Sequence, residues 1–395
     1  MDKEPKKGYK RYYLSLTGEN SHIIDLYLGQ GGLSIGTKGV SDGEYDVWVD
    51  PGEKINWDAF NGFYIGYGSG RKEEHPYGDW PRGFTYSGMD TGFIAWTSKR
   101  RTENFEWIPT EDAQVNLENA MIYYFFLNLK KKVRITVGPG IRRLYLKGDP
   151  KNLAINASGG KYILDFKMTG YNDPEKIYRI PELKDFQNTE SVYVEVSPLG
   201  DPFDCESLKQ FRNLKHLQII GNICNAKELA EFNELESLRL FSVPDLSELP
   251  LLACWEHLDH FLGVDIDEIA GRDIKKQLKV LEKKERVIET HISKLRSKTW
   301  FATEYNNPFK DWEGKNGKKA SKLYKDTLKV IKKAENEAIV REHIIRFTEA
   351  FNKFDDIETV EREEIADAVD CLVLASPFEI ANKTWLQWFD EARDY

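Results

Sequence analysis

The sequence predicts a multidomain α+β protein. An N-terminal β-rich, sandwich-like domain is expected over residues 1–132, a solenoid of parallel strands over 133–270, and a C-terminal helical domain over 271–395. Three observations carry this. Glycine-rich turns separate aromatic and β-branched runs in the first third, short apolar-x-apolar triplets recur through the middle, and helical periodicity with dense charge fills the last third. With 395 residues, 41% of them hydrophobic, the chain is long enough to bury a core and is not globally disordered.

In the first zone, Tyr12-Tyr13-Leu14-Ser15-Leu16 and Tyr45-Asp46-Val47-Trp48-Val49 cluster β-formers. Turns are expected at Gly29-Gln30-Gly31-Gly32, Gly66-Tyr67-Gly68-Ser69-Gly70 and Gly88-Met89-Asp90-Thr91-Gly92. Short strands between such turns suit a mostly antiparallel sheet. Trp48, Trp57, Trp80, Trp96 and Trp107 fall here and read as core or half-buried strand residues rather than a ligand platform.

In the second zone the triplets are Leu144-Tyr145-Leu146, Leu164-Asp165-Phe166, Val194-Glu195-Val196, Leu217-Gln218-Ile219, Leu238-Arg239-Leu240 and the degraded Phe261-Leu262-Gly263, at offsets of 20, 30, 23, 21 and 23 residues. Such periods belong to stacked repeats. Leu214-Lys215-His216-Leu217-Gln218-Ile219-Ile220-Gly221-Asn222 follows L-x-x-L-x-L-x-x-N. Leu235 to Leu240 follows its first half, with Val243 where Asn would stand, and Leu258-Asp259-His260-Phe261 is a weaker third instance. On these residues the middle third resembles the leucine-rich-repeat proteins, irregularly spaced; the flanking regions resemble no recognised family. The resemblance implies parallel strands whose leucines share one core, with the side chains between them forming a concave binding face. Strand alternation puts Tyr145, Lys147, Asp165, Lys167, Tyr193, Glu195, His216, Gln218, Ser237, Arg239, Phe241, His260 and Leu262 on that face. Tyr193, Glu195, His216, Gln218, Arg239, Phe241 and His260 are the candidate partner-binding residues, with Tyr193, His216, Arg239 and Phe241 expected on consecutive rungs.

In the third zone, Ile274, Leu278, Leu281, Ile288, Ile292 and Leu295 follow a heptad seam with Glu285 in the missing position, expected as a helix docked on the solenoid end. A turn-rich stretch ends that helix by Pro308, and a long helix is expected from about Ser321 to Phe354. Thr359 with Glu361, Glu363 and Glu364 behind it reads as an N-cap with an acidic first turn. Trp385, Trp388 and Phe389 sit at helical spacing to dock the last helix.

Catalytic and cofactor signals are weak. Cys254-x-x-His257-x-x-His260 has metal-ligand residue types but no nearby fourth ligand, so no metal and no cofactor is expected. Gly32-Leu33-Ser34-Ile35-Gly36-Thr37-Lys38 is outwardly similar to a phosphate-binding loop but reverses its Lys and Thr, and a hairpin is expected there. Gly66 to Lys72 reads as a flexible turn. There is no His-Glu-x-x-His; His22 and His75 read as surface residues, not catalytic bases.

The net charge of −9 argues against nucleic acid as a partner and suits a soluble protein that attracts a basic one. No apolar run approaches a membrane span, and the charged stretch Met1 to Lys7 leads into no signal-peptide core, so a cytoplasmic protein is expected. The sequence reads as a protein-binding module, of which a bacterial immunity or antitoxin-like protein is the specific instance. The alternatives are an enzyme or carbohydrate-binding protein with its site in the N-terminal domain, or a structural oligomer built on the Ile274–Leu295 seam.

Cys205, Cys224, Cys254 and Cys371 form no CxxC pair, so reduced thiols are expected. A thermal melt with and without dithiothreitol should give the same midpoint; a drop on reduction would mean a structural bridge.

Overall fold

Buried and open side chains alternate along the strands of the computed structural model, which describes residues 4–5, 7–27, 30–62, 82–170, 177–354 and 357–395. An antiparallel hairpin comes first, β1 (Tyr9–Leu14) with β2 (His22–Tyr27). Then follow β3 (Gly32–Thr37), β4 (Val47–Val49), β5 (Gly83–Ser87), the short helix α1 (Gly92–Thr97) and β6 (Thr102–Ile108). Next are β7 (Ala113–Leu117), β8 (Ile122–Leu129), β9 (Val133–Val137), β10 (Arg143–Gly148), β11 (Leu153–Ala157) and β12 (Ile163–Met168). The series ends with β13 (Ser191–Glu195), β14 (Phe203–Asp204), β15 (His216–Ile220), β16 (Ile223–Cys224), β17 (Ser237–Phe241), β18 (His260–Val264), helix α2 (Glu268–Glu282) and β19 (Glu289–Ser293).

Twelve of these strands form one sheet in the order β19-β18-β17-β15-β13-β12-β10-β8-β6-β5-β3-β4. Every neighbouring pair in it is parallel. Between β5 and β6 the chain passes through α1; between β6 and β12 it crosses through β7, β9 and β11, which pair in parallel with one another. Later crossings use 3-10 turns at Cys205–Gln210, Ala226–Glu231 and Leu252–Cys254, which bury Leu208, Leu229 and Leu252.

The sandwich expected over 1–132 is not what forms. β3, β5, β6 and β8 pair in parallel and run on into β10 across the expected boundary, and one core extends from Leu14 to Ile288. Parallel neighbours need long crossovers, and the segments between these strands supply them; among the described residues antiparallel pairing is confined to β1 and β2. The segment expected as a phosphate-loop-like hairpin is strand β3 itself.

The register produces two ladders of buried side chains. Leu33, Phe84, Phe105, Phe125, Leu144, Leu164, Val192, Leu217, Leu238 and Phe261 lie level on successive strands. Ile35, Tyr86, Trp107, Leu127, Leu146, Phe166, Val194, Ile219 and Leu240 form the second. The six segments expected as adjacent parallel strands are adjacent in that order, with one shift. Val192, not Val194, is level with Leu164 and Leu217. Close stacking also demands glycine. A Cβ on Gly138 would lie 1.7 Å from the Glu118 carbonyl, and Gly221, at φ +103, would bring one to 2.0 Å from that of Val196. Beside it, the Asn222 amide donates to the Gly200 carbonyl at 3.0 Å, tying one turn to the turn before.

The heptad seam is not one helix. α2 stops at Glu282, Glu285 takes a left-handed conformation (φ 59), and Ile292 lies in β19, which extends the sheet beyond β18. The helical region is therefore shorter than expected: the compact units are Met1–Ser297 and Lys298–Tyr395.

The second unit contains α3 (Lys298–Glu304), α4 (Gly314–Ile331), α5 (Glu337–Phe351), α6 (Thr359–Leu374) and α7 (Asn382–Ala392) around its own core of Phe309, Ile344, Phe347, Phe351, Val369 and Trp385. The single helix expected from Ser321 to Phe354 is two helices, because the Asn336 side chain accepts the Ile339 N–H at 3.0 Å and starts a new one. Glu358, not Thr359, precedes α6, and Glu361 reaches back to accept the Glu358 N–H at 3.2 Å. Trp385, Trp388 and Phe389 bury the inner face of α7. Among the described residues no helix is long and apolar enough to cross a membrane.

Burying each large ladder side chain contributes about 1.5–3 kcal/mol. Leu217→Asp or Leu238→Asp should therefore abolish the cooperative melt of the first unit, because a carboxylate there has no partner. Gly138→Val should do likewise. A circular-dichroism melt close to wild type for these variants would contradict the register.

Candidate binding surface

The sheet face opposite the ladders is open, and three level rows cross it. The central row carries Phe126, Tyr145, Asp165, Tyr193, Gln218, Arg239 and Leu262 on successive strands. One flanking row carries Tyr124, Arg143, Ile163, Ser191, His216, Ser237 and His260. The other carries Lys147, Lys167, Glu195, Ile220, Phe241 and Val264.

The seven candidate residues all lie on this face, spread over β13, β15, β17 and β18. Arg239 is exposed, the other six are half-buried, and Ser237 beside them is buried. The expectation of four consecutive rungs needs correction. Tyr193, His216 and Arg239 occupy three successive strands, but Phe241 shares β17 with Arg239 because both point the same way two residues apart. Gln218 is the residue level between Tyr193 and Arg239. Glu195 is held by Lys167 at 2.6 Å, and His260 faces Glu289 at 3.5 Å.

The densest cluster lies one step upstream; it joins Tyr145, Asp165 and Tyr193, expected on this face, to Tyr124, Phe126 and Arg143, which were not. Phe126 and Tyr145 stack with centroids 4.1 Å apart and planes 8° from parallel, and Tyr124 stands 6.2 Å from Tyr145. The Arg143 guanidinium lies between two rings, 4.6 Å from the centroids of both Tyr145 and Tyr193. Its Nη2 donates to Asp165 Oδ2 at 2.7 Å, on the strand between them. The Arg143 Nε–H is buried with no acceptor among the described residues. Burial pushes the Asp165 carboxyl above its ordinary range, against the hydrogen bond from Arg143, and burial also raises the Tyr145 hydroxyl. The cluster is thus partly dehydrated before anything binds.

Tyr124 and Phe126 were missed because they lie before residue 133, where a different domain was expected; Arg143 lies within the repeat zone, one alternation before Tyr145, and was passed over. Their signal is present: Phe105-x-Trp107 and Phe125-x-Leu127 continue the triplets upstream with aromatics in place of leucine.

The other candidates separate from this face. His22 engages both ring nitrogens, with Ser21 Oγ at 2.9 Å and the Trp48 carbonyl at 3.0 Å. Trp57, Trp96 and Trp107 are buried and Trp48 is half-buried; Trp57 packs against Phe60, Tyr86, Phe93, Trp96 and Phe105, so the aromatic wealth of the N-terminal region is mostly core. Trp80, His75 and the Gly66–Lys72 turn lie outside the described residues. Cys254 and His257 are exposed and the four cysteines are free thiols; among the described residues no group of three or more His, Cys, Asp or Glu could hold a metal.

Comparison with known protein families, curated proteins and solved structures gave no match.

If Arg143 and Asp165 act as one unit, their substitutions should not add. Arg143→Ala leaves a half-buried carboxylate unpaired and should cost about 1–3 kcal/mol. A double-mutant cycle with Asp165→Ala, read by urea denaturation, should return a coupling of about 0.5 kcal/mol or more. Strict additivity would show that the bond contributes nothing to stability.

Proposed function

We propose that the chain is a leucine-rich-repeat-like solenoid protein that binds a protein partner on the open face of its main sheet. One observation carries the reading: Arg143 held between Tyr145 and Tyr193, with Phe126 stacked beside them, on strands whose register fixes their spacing. Tyr and Arg in a preorganised, partly dehydrated cluster are the residue types that dominate protein interfaces. Ile220, Phe241, Leu262 and Val264 add apolar area on β15, β17 and β18. Gln218 and Arg239 link the two patches.

Masking of a toxin domain, as an immunity protein does, would be one instance of this reading. The charges on the three rows do not favour a basic partner. Arg143, Lys147, Lys167 and Arg239 are balanced by Asp165 and Glu195 on the rows and, one strand beyond either end, by Glu106 level with Phe126 and Glu289 level with His260. The acidic surplus of the chain lies elsewhere, so recognition here rests on rings and hydrogen bonds.

Affinity capture from the cells that make the protein, with mass spectrometry, is the test. A captured partner should lose about 2 kcal/mol or more, roughly thirtyfold in affinity, with Tyr145→Ala and with Arg239→Ala. Arg239→Ala alone should leave the melt within about 0.5 kcal/mol of wild type. Unchanged affinity in both variants would move the binding surface off this face.

A further inference from the structure

We propose that the cleft beside α4 in the C-terminal unit binds single-stranded nucleic acid. This is independent of the open sheet face. The expectation against nucleic acid rested on the net charge of −9, which averages over the whole chain. Residues 314–333 hold eight lysines and one carboxylate, Asp326. On α4, Lys318, Lys322, Lys325 and Lys329 fall at intervals of four, three and four residues, so they share one helix face. At 1.5 Å per residue this stripe runs about 16 Å.

The stripe borders a cleft of about 500 Å³ that Trp300 and Trp312 also line. Trp312 is fixed in place: its indole N–H donates to Glu364 and its ring packs edge-on against Phe309, 5.0 Å between centroids. Lys310, also at the cleft, sits 4.1 Å from the Tyr305 ring centroid. Two acids line the same space, and each is spoken for: Glu304 pairs with Lys325, and Asp326 with Lys329 at 3.3 Å. Lys318 and Lys322 are exposed and have no carboxylate partner among the described residues.

Lys325 and Lys329 are compensated by Glu304 and Asp326, which leaves Lys318 and Lys322, one turn apart, as the uncompensated charges of the stripe. A lone phosphate could meet these two lysines but would leave the indoles unused. An anionic bilayer is flat and would meet the lysines without entering the cleft, leaving the indoles unused. A single strand supplies both partners at once, phosphates for the lysines and base faces for the tryptophans.

The test is fluorescence anisotropy of a labelled twelve-nucleotide oligo-deoxythymidine titrated with the full chain. Wild type should bind with a Kd of roughly micromolar order at 50 mM salt and weaken steeply with added salt. Lys318→Gln with Lys322→Gln should lose about tenfold or more in affinity. It should also flatten the slope of log affinity against log salt by about 1.4, the contribution of two phosphate contacts to a single strand. Lys318→Arg with Lys322→Arg, which keeps the charge, should bind as wild type, as should Lys383→Gln on α7. No binding at 50 mM salt would overturn the proposal, as would wild-type affinity in the glutamine pair or an equal loss in the arginine pair. Competition by polyglutamate or by phosphatidylserine vesicles as effective, charge for charge, as unlabelled strand would overturn it as well.

Discussion

The parallel register of the main sheet is the constraint on which the first unit depends. Because each strand lies level with the last, buried side chains meet buried side chains at every step, and no single pass of the chain has to close a core alone. The same register fixes the spacing of the open face. Arg143 reaches across β12 to Tyr193 only because Asp165, on the intervening strand, is level with both tyrosines. A slip of one residue would bury that cluster and expose the ladders together. Fold and candidate surface are therefore two faces of one arrangement.

The ladders change character along the sheet. Toward β5 and β6 they are built of Phe84, Tyr86, Phe105 and Trp107; from β10 onward mostly of Leu, Val and Ile. The segments between the sheet strands vary as well: α1 between β5 and β6, the strands β7, β9 and β11 from β6 to β12, and 3-10 turns beyond. A wide aromatic in each layer and a narrow aliphatic one are different ways of filling the same gap, and this explains what the sequence made visible. Where leucines recur at near-constant spacing, strands, order and outward residues could be read directly, and Tyr193, Gln218 and Arg239 lie where alternation put them. Upstream, the aromatics and glycines that perform the same packing read as antiparallel hairpins, so Tyr124 and Phe126 were invisible as members of the face. Periodicity of residue type was legible; periodicity of volume was not.

The helical unit followed a similar pattern. Apolar spacing located its core residues, but helix ends are decided by single side chains such as Asn336, and a continuous pattern passed over that break. Charge misled in the opposite way. A whole-chain total concealed a helix with eight lysines in twenty residues, because the carboxylates that cancel them are concentrated elsewhere, notably on α6.

The order of strands in the main sheet follows their order in the chain from β5 to β19, and that bears on how the first unit would yield under load. Pulled from its C-terminal end, it has no distant strand to hold the edge: β19 parts from β18, then β18 from β17, each pass leaving an intact neighbour behind. About twenty residues would come free at a time, close to 70 Å of extended chain. Such a body lengthens in instalments rather than failing at once, and the passes that remain keep their face.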